Sequence, residues 1–200
     1  METANADDGL THPERIRRRR EALGRQFTEI FSGPKQFVWE VGSGHGHFLT
    51  AYAQAHPAEL CLGIDLASDR IARATRKRER ARLTNLHFIH AEAADFLAAL
   101  PAQARFSAIY VLFPDPWPKR RHHKNRLMTV DFLGLIAPRA GPGTRLYFRT
   151  DYAPYYSEAR QALLAAPGWR AVDEPWPFES PTVFQARAPA FQSFVAVKAG

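Results

Sequence analysis

A short loop rich in proline and charge is the part of this sequence with the clearest chemical potential. Residues 113–124 read Phe-Pro-Asp-Pro-Trp-Pro-Lys-Arg-Arg-His-His-Lys, and the carboxylate of Asp115 lies between two prolines. Proline fixes its own φ and biases the preceding residue toward extended backbone, so Phe113 and Asp115 are both expected to be extended. The pattern predicts a stiff loop that presents one carboxylate and one indole, that of Trp117.

Positive charge follows this loop directly, from Lys119, Arg120, Arg121 and Lys124. Lysine and arginine side chains are suited to contacts with phosphate groups. An aromatic ring, an acid and a basic cluster together favour the binding of a purine base by stacking and hydrogen bonds. A proline-rich turn followed by a solvated basic loop explains the same residues equally well, because turn chemistry alone accounts for the prolines.

A glycine-rich segment is the second candidate for chemistry. Residues 40–46 read Glu-Val-Gly-Ser-Gly-His-Gly, between a predicted strand and a predicted helix, and Asp65 ends the next predicted strand. In open α/β sheets such a turn brings the backbone close to a ligand, and an acid at the end of the second strand binds a ribose. A glycine turn without a ligand is the alternative interpretation.

The nature of the ligand is indicated by the spacing of the glycines and by Glu40. Dinucleotide-binding loops usually read Gly-x-Gly-x-x-Gly, whereas this segment reads Gly-x-Gly-x-Gly. An acid just before the loop would repel a pyrophosphate and would suit a ligand that carries ammonium and sulfonium charge. S-adenosylmethionine is therefore favoured over a nicotinamide cofactor.

Alternating strands and helices are predicted to position these segments. Strands are predicted at residues 36–41, 60–64, 86–89, 107–112, 144–149, 169–172 and 191–197, and helices at 47–56, 67–83, 95–100, 127–136 and 155–165. Such alternation implies an α/β fold with a largely parallel sheet covered on both faces. Residues 1–33 are expected to form a basic, partly disordered N-terminal segment, with five arginines between positions 15 and 20.

Composition limits the class of protein. A length of 200 residues with 46% hydrophobic residues suits one domain, and a net charge of +7 favours an anionic partner such as nucleic acid. Cys61 is the single cysteine, and no carboxylate stands at ligand spacing from the paired histidines, so no metal is expected. A secretory signal and a membrane-spanning run are not found, which predicts a soluble, cytoplasmic protein with no membrane partner.

In this order and spacing, the motifs resemble the bacterial tRNA (guanine-N7)-methyltransferases, which are class I methyltransferases dependent on S-adenosylmethionine. The resemblance covers residues 35–187, and its most specific part is the run at 113–117 with its basic tail. The other matching segments are Glu40–Gly46, Gly63–Asp65, Thr150-Asp151 followed by Tyr155, and Thr182-x-Phe184. The family implies a single-domain, Rossmann-like fold over residues 34–200, with a mostly parallel seven-stranded sheet and an antiparallel last strand.

The resemblance also implies roles for individual residues. The positions that match the S-adenosylmethionine pocket are Glu40, Gly42, Gly44, Asp65, Glu92 and Asp115. The positions that match substrate contacts are Lys119, Asp151, Thr182, Val183, Phe184 and Gln185. Further RNA contacts are expected from Trp117, Arg120, Arg121 and Lys124. The chain departs from the family where Val183 and Gln185 replace a lysine and a glutamate, and where Asp65 replaces a glutamate that is often present.

The implied reaction transfers a methyl group from S-adenosylmethionine to N7 of a guanosine in tRNA. Guanine N7 carries a lone pair and no proton, so catalysis would rest mainly on orientation, with Asp115 as the catalytic residue that accepts hydrogen bonds from the guanine edge. Two alternatives stay open: a methyltransferase of the same fold that acts on a protein or small-molecule amine, and a non-catalytic RNA-binding factor. The oligomeric state is also open, with a monomer as the preferred expectation.

Two further basic segments have two interpretations each. The arginine run at 15–20 and the predicted helix with Arg73, Arg76, Lys77 and Arg80 could extend an RNA-binding surface. For the helix, a solvated face is the preferred interpretation, because that is the usual role of a run of charges, whereas RNA contact by the run at 15–20 stays open.

Overall fold

The computed structural model describes residues 10–33, 35–180 and 190–200. Seven strands within these ranges form one sheet in the order β3-β2-β1-β4-β5-β7-β6. Their bounds are β1 Lys35–Val41, β2 Leu60–Asp65, β3 Leu86–His90, β4 Ala104–Leu112, β5 Ala140–Thr150, β6 Trp169–Val172 and β7 Gln192–Lys198. The neighbouring pairs among β1 to β5 are parallel, and β7 runs antiparallel to both β5 and β6. The predicted mostly parallel sheet with an antiparallel last strand is confirmed.

Six α-helices lie in the described ranges and cover both faces of the sheet. Their bounds are α1 His12–Ile30, α2 His47–Ala55, α3 Ser68–Arg80, α4 Ala93–Ala99, α5 Val130–Ile136 and α6 Ala153–Ala165. Two short 3₁₀ helices span Arg120–Asn125 and Ala137–Arg139. Helix α5 begins later than the predicted residue 127, because the Thr129 side chain accepts a hydrogen bond from the Phe132 backbone amide and so caps the helix at that point.

The core divides into two layers, one on each face of the sheet. Along β1, the side chains of Phe37 and Trp39 enter one layer and that of Val38 enters the other, as the two-residue period of a strand requires. The Trp39 ring is stacked between the rings of Phe96 and Phe106, with centroids 5.0 and 5.1 Å away. This central packing fixes the strand that leads into the glycine segment.

Helix α1 was not predicted from the sequence. Leu23 and Phe27 on this helix are buried, and the Phe27 ring packs edge-on against that of Phe96 with the centroids 5.2 Å apart. The guanidinium groups of Arg19 and Arg20 both reach the buried carboxylate of Asp95 on α4, at 3.1 and 2.8 Å. Part of the arginine run therefore attaches α1 to α4. The predicted domain division at residue 34 stays a prediction.

Candidate active site

The glycine segment forms a tight turn between β1 and α2. Gly42, Gly44 and Gly46 have φ values of +77°, +53° and +68°, which a residue with a side chain adopts only at a cost. A Cβ at Gly46 would collide with the Phe88 ring and with Ala74, so that glycine is also required by close packing. At Gly42 and Gly44 a Cβ would meet nothing within 4 Å, and these residues leave the backbone open to a ligand.

A cavity of about 940 Å³ opens at the carboxyl ends of the central strands. This is the edge at which ligands bind in open α/β sheets, and the volume suits a nucleoside-sized ligand. The cavity is lined by every residue that the family resemblance assigns to the cofactor, namely Glu40, Gly42, Gly44, Asp65, Glu92 and Asp115. Further lining residues that the sequence did not indicate are Arg70, Asn125, Asp131, Phe132 and Leu135.

Glu40 contributes a buried acid to the wall of this cavity. Its exposed fraction is 3%, and its Oε2 atom has no hydrogen-bond partner among the described residues. Burial, and secondarily the charge of Asp65, raise the pKa of Glu40 well above its usual range, whereas the Leu49 backbone amide and Lys77 act in the opposite direction. A buried acceptor without a partner in a cavity fits a ligand that brings a positive charge or a hydrogen-bond donor.

Asp65 is held in a defined orientation at the end of β2. Its two carboxylate oxygens accept hydrogen bonds from the Gly44 and Ala67 backbone amides, at 2.9 and 2.8 Å. A guanidinium nitrogen of Arg70 lies 3.9 Å from the same carboxylate. Each carboxylate oxygen can accept more than one hydrogen bond, so Asp65 keeps acceptor capacity for ribose hydroxyls.

Lys77 supports the glycine turn from α3. Its ammonium group donates a hydrogen bond of 2.9 Å to the His45 backbone carbonyl within that turn. Burial, followed by the nearby Arg80, lowers the pKa of Lys77, whereas Glu40 acts in the opposite direction. Of the cations predicted to face RNA on this helix, Lys77 is thus engaged with the protein itself.

The loop that carries Asp115 begins and ends with residues of unusual backbone conformation. Phe113 has φ +49° and Trp117 has φ +43°, in the left-handed region that residues with side chains rarely adopt. The expectation of an extended Phe113 is therefore wrong. Its backbone amide still donates a hydrogen bond of 2.7 Å to the Arg149 carbonyl of β5, so the contact with β5 extends up to the residue at which the chain turns.

Arg149 joins the segments on the far side of this loop. Its buried guanidinium forms two hydrogen bonds to the Glu179 carboxylate, at 3.0 and 2.9 Å. The same guanidinium lies 3.9 Å from the centroid of the Trp176 ring and 4.5 Å from that of Phe191. The Phe191 ring in turn contacts the Phe113 ring edge-on, with centroids 5.8 Å apart. These contacts tie the residues before and after positions 181–189 to the first residue of the loop.

The expected tRNA-contacting residues that the structure describes lie outside the cavity lining, apart from Asp115. Lys119 follows the loop, and Arg120, Arg121 and Lys124 lie on the 3₁₀ helix, all with exposed side chains. Asp151 is exposed directly after β5. None of these five lines the cavity, whereas Asp115 reaches it. The predicted positions Thr182, Val183, Phe184 and Gln185 lie outside the described residues.

Trp117 is partly buried beside the 3₁₀ helix, with its ring centroid 5.6 Å from that of His122 in an edge-on arrangement.

The described parts of the chain contain no group of three or more histidine, cysteine or acidic side chains that could hold a metal ion. No helix in the same parts is long and apolar enough to cross a membrane.

The sequence is similar to a methyltransferase family model and to named tRNA methyltransferases. A family model described as "Putative methyltransferase" matches residues 34–188. The chain is 37% identical over 165 residues to a tRNA (guanine-N(7)-)-methyltransferase of Treponema pallidum, covering 78% of this chain and 65% of the relative. It is 38% identical over 130 residues to the protein of that name from Hyphomonas neptunium, covering 65% of this chain and 59% of the relative. The chain thus spans less than two thirds of the length of these relatives.

Solved structures share the fold. One is a 16S rRNA (adenine(1408)-N(1))-methyltransferase W203A mutant with cosubstrate SAM from Catenulisporales acidiphilia, with a TM-score of 0.61, 21% identity, and coverage of 88% of this chain and 92% of that one. Another is TrmN from Thermus thermophilus, with a TM-score of 0.60, 20% identity, and coverage of 90% and 48%. At these identities the likeness supports the Rossmann-like class I fold and not a substrate.

Proposed function

The chain belongs to the family described as "Putative methyltransferase", and from that premise we propose that it transfers a methyl group from S-adenosylmethionine to N7 of a guanosine in tRNA. The observation that carries the proposal is the arrangement of the cavity. It is lined by the buried acid Glu40, whose Oε2 atom has no hydrogen-bond partner among the described residues, and by Asp115, the carboxylate of the Phe-Pro-Asp-Pro-Trp loop. Action on tRNA in the cytoplasm is part of the same proposal.

The residues of the cavity fit S-adenosylmethionine, whose positively charged sulfur makes its methyl group transferable to a ring nitrogen that carries no proton. Glu40 would face the cationic part of the molecule, since its Oε2 atom lacks any other partner among the described residues. Asp65 would accept hydrogen bonds from the ribose, and the open backbone of Gly42 and Gly44 would allow close approach. Glu92, at the N-terminus of α4, and Asp115, which also has a proposed catalytic role, complete this set of proposed cofactor residues.

Asp115 is the proposed catalytic residue because its carboxylate is exposed and reaches the cavity. Guanine presents N–H donors on its Watson–Crick edge, and a carboxylate that accepts them would orient the base so that N7 faces the methyl group. Orientation of this kind accounts for large rate effects without proton transfer. A base inside folded RNA must first be exposed, which favours a site at the open mouth of a cavity.

The residues that follow Asp115 along the chain are proposed to contact the tRNA, and the basic ones among them would bind its phosphates. Trp117, Lys119, Arg120, Arg121 and Lys124 lie beside Asp115 along the chain. The proposal extends to Asp151 and to Thr182, Val183, Phe184 and Gln185, which match substrate positions of the family. Because phosphate contacts release counterions, the affinity for tRNA should fall steeply with salt.

The test is an incubation of the protein with an unmodified tRNA transcript and methyl-labelled S-adenosylmethionine, followed by borohydride and aniline treatment, which cleaves at 7-methylguanosine. Label in the tRNA and cleavage at one guanosine are expected. Label without cleavage would exclude N7 as the methyl acceptor. Absence of label, with cofactor binding intact, would exclude tRNA as the substrate and point to a protein or small-molecule amine.

A further inference from the structure

Arg126 is a buried cation to which the proposed reaction assigns no role. Only 2% of its side chain is exposed. Its guanidinium lies over the rings of Tyr155 and Tyr152, at 5.1 and 5.8 Å from their centroids, and it forms an ion pair with Glu158 on α6. A buried charge is costly, so it is retained where several groups satisfy it together.

The same guanidinium also binds the loop that carries Asp115. Its Nε donates a hydrogen bond of 2.8 Å to the Pro116 carbonyl, and one Nη reaches the Trp117 carbonyl at 3.4 Å. Pro116 directly follows Asp115, so Arg126 contacts the loop within one residue of the proposed catalytic carboxylate. The planar guanidinium can donate in several fixed directions at once, which a lysine ammonium cannot reproduce.

The loop needs such an external support. Trp117 has φ +43°, a conformation that sterics disfavour for a residue with a side chain and that persists only where the surroundings enforce it. The Asp115 side chain itself is exposed and accepts no hydrogen bond from the described residues. The position of its carboxylate is therefore set by the backbone on either side of it. The support on the N-terminal side is the bond from the Phe113 amide to the Arg149 carbonyl, and on the C-terminal side it is Arg126.

We propose that Arg126 is a positioning residue, which fixes the Asp115 carboxylate at the mouth of the cofactor cavity by linking its loop to α6. The inference rests on the proposed function, because it assigns Asp115 its role in orienting guanine. It attributes to Arg126 an effect on the reaction itself, distinct from the stability that its ion pair with Glu158 provides. Arg126 forms no hydrogen bond with Glu40 or Asp65, so this part of the cavity wall is held independently of it.

Two variants separate positioning from simple stabilisation. Arg126→Lys keeps a cation beside Glu158 but loses the planar set of donors to the two loop carbonyls. Glu158→Gln weakens the ion pair but leaves the contacts of Arg126 with Pro116 and Trp117 in place. Glu158 also lies 3.4 Å from Nδ1 of His123, and its substitution leaves the buried Arg126 without its counter-charge, so Glu158→Gln should lower the melting temperature while the loop contacts remain. Arg126→Met, which removes the cation and all its donors, is the more severe change. Melting temperatures show whether it folds, and Arg126→Lys carries the test if it does not.

The experiment combines turnover of tRNA with a spectroscopic signal from the loop. The chain contains four tryptophans, so 5-fluorotryptophan labelling gives a small set of ¹⁹F resonances, of which Trp117 is assigned through Trp117→Phe. For Arg126→Lys we expect a kcat roughly tenfold to a hundredfold lower, a much smaller change in the Kd for S-adenosylhomocysteine, and a shifted or broadened Trp117 resonance with the Trp39 resonance unmoved. For Glu158→Gln we expect kcat and the Trp117 resonance to stay close to those of the unmodified protein.

Two results would overturn the inference. One is a kcat for Arg126→Lys close to that of the unmodified protein with an unmoved Trp117 resonance. The other is an equal loss of kcat in Glu158→Gln, which would show that the ion pair alone matters. If the unmodified protein does not methylate tRNA, the proposed function fails, and the ¹⁹F spectrum still decides whether Arg126 holds the loop.

Discussion

Replacement of Glu40 by glutamine should change cofactor binding and the stability of the ligand-free protein in opposite directions. Glu40 is 3% exposed, and its Oε2 atom lacks a hydrogen-bond partner among the described residues. A hydrogen bond to a charged group contributes about 1.5–3 kcal/mol. Loss of that interaction with a cationic ligand corresponds to a Kd increase of about tenfold to a hundredfold. Glutamine has nearly the same shape, so the cavity itself should be preserved.

The stability of the ligand-free protein and its affinity for the cofactor should both depend on pH through Glu40. The pKa of Glu40 is raised, mainly by burial, so folding favours its protonated form. The ligand-free protein should therefore lose stability as pH rises from the usual pKa of a glutamate toward the raised pKa in the folded state. Binding of a cationic ligand favours the ionised form, so the affinity should increase over the same rise in pH. Glu40→Gln should remove both dependences and raise the melting temperature of the ligand-free protein at neutral pH.

The assay is isothermal titration calorimetry with S-adenosylmethionine at several pH values, together with thermal melting of the ligand-free protein. Glu92→Gln is the matched control, since Glu92 lines the same cavity but is exposed, and it should weaken binding much less. Unchanged affinity and an unchanged pH dependence in Glu40→Gln would refute the assignment of Glu40 to the cationic part of the ligand.

Three further predictions follow from the same site. Gly46→Ala should destabilise the protein by about 1–3 kcal/mol, because its Cβ would collide with the Phe88 ring at a positive φ; chemical denaturation measures this, and unchanged stability would contradict the packing. Asp115→Ala should lower kcat for tRNA by at least about a hundredfold, a larger effect than its change in cofactor affinity; turnover within a few-fold of the unmodified protein in a methyl-transfer assay would remove its catalytic role. The double substitution of Arg120 and Arg121 by glutamine should reduce the slope of log affinity against log salt by about 2 in filter binding, and an unchanged slope would exclude phosphate contacts by both.

Much of the fold could be predicted because the strands are short apolar runs bounded by glycine, proline or acid. The run at 36–41 and the alternation at 191–197 correspond to β1 and β7 within one residue at each end. Strand β5 begins at Ala140, whereas the sequence predicts a start at residue 144. The prediction was late because residues 141–143 read Gly-Pro-Gly, a turn-like sequence. Pairing with the neighbouring strand, which composition does not show, extends β5 there.

Helix α1 was missed although the sequence carries a local signal for its start, since Thr11 and Glu14 form a capping box and Pro13 lies in the first turn. Its arginines hid the apolar face, which Leu23 and Phe27 bury against a helix that follows much later in the chain. The positive φ of Phe113 was not predicted, because the proline after it favours extended backbone. The cavity residues matched the prediction better, because the carboxyl ends of parallel strands converge by topology.

Methylation of guanine N7 with Asp115 as the catalytic residue is tested most directly by incubating the unmodified protein and Asp115→Ala, each with unmodified tRNA and S-adenosylmethionine. The tRNA is then digested to nucleosides, and the methylated products are separated and identified by mass spectrometry. We expect 7-methylguanosine as the product of the unmodified protein and a much smaller amount from the variant. A different methylated nucleoside, or equal amounts from both proteins, would contradict it.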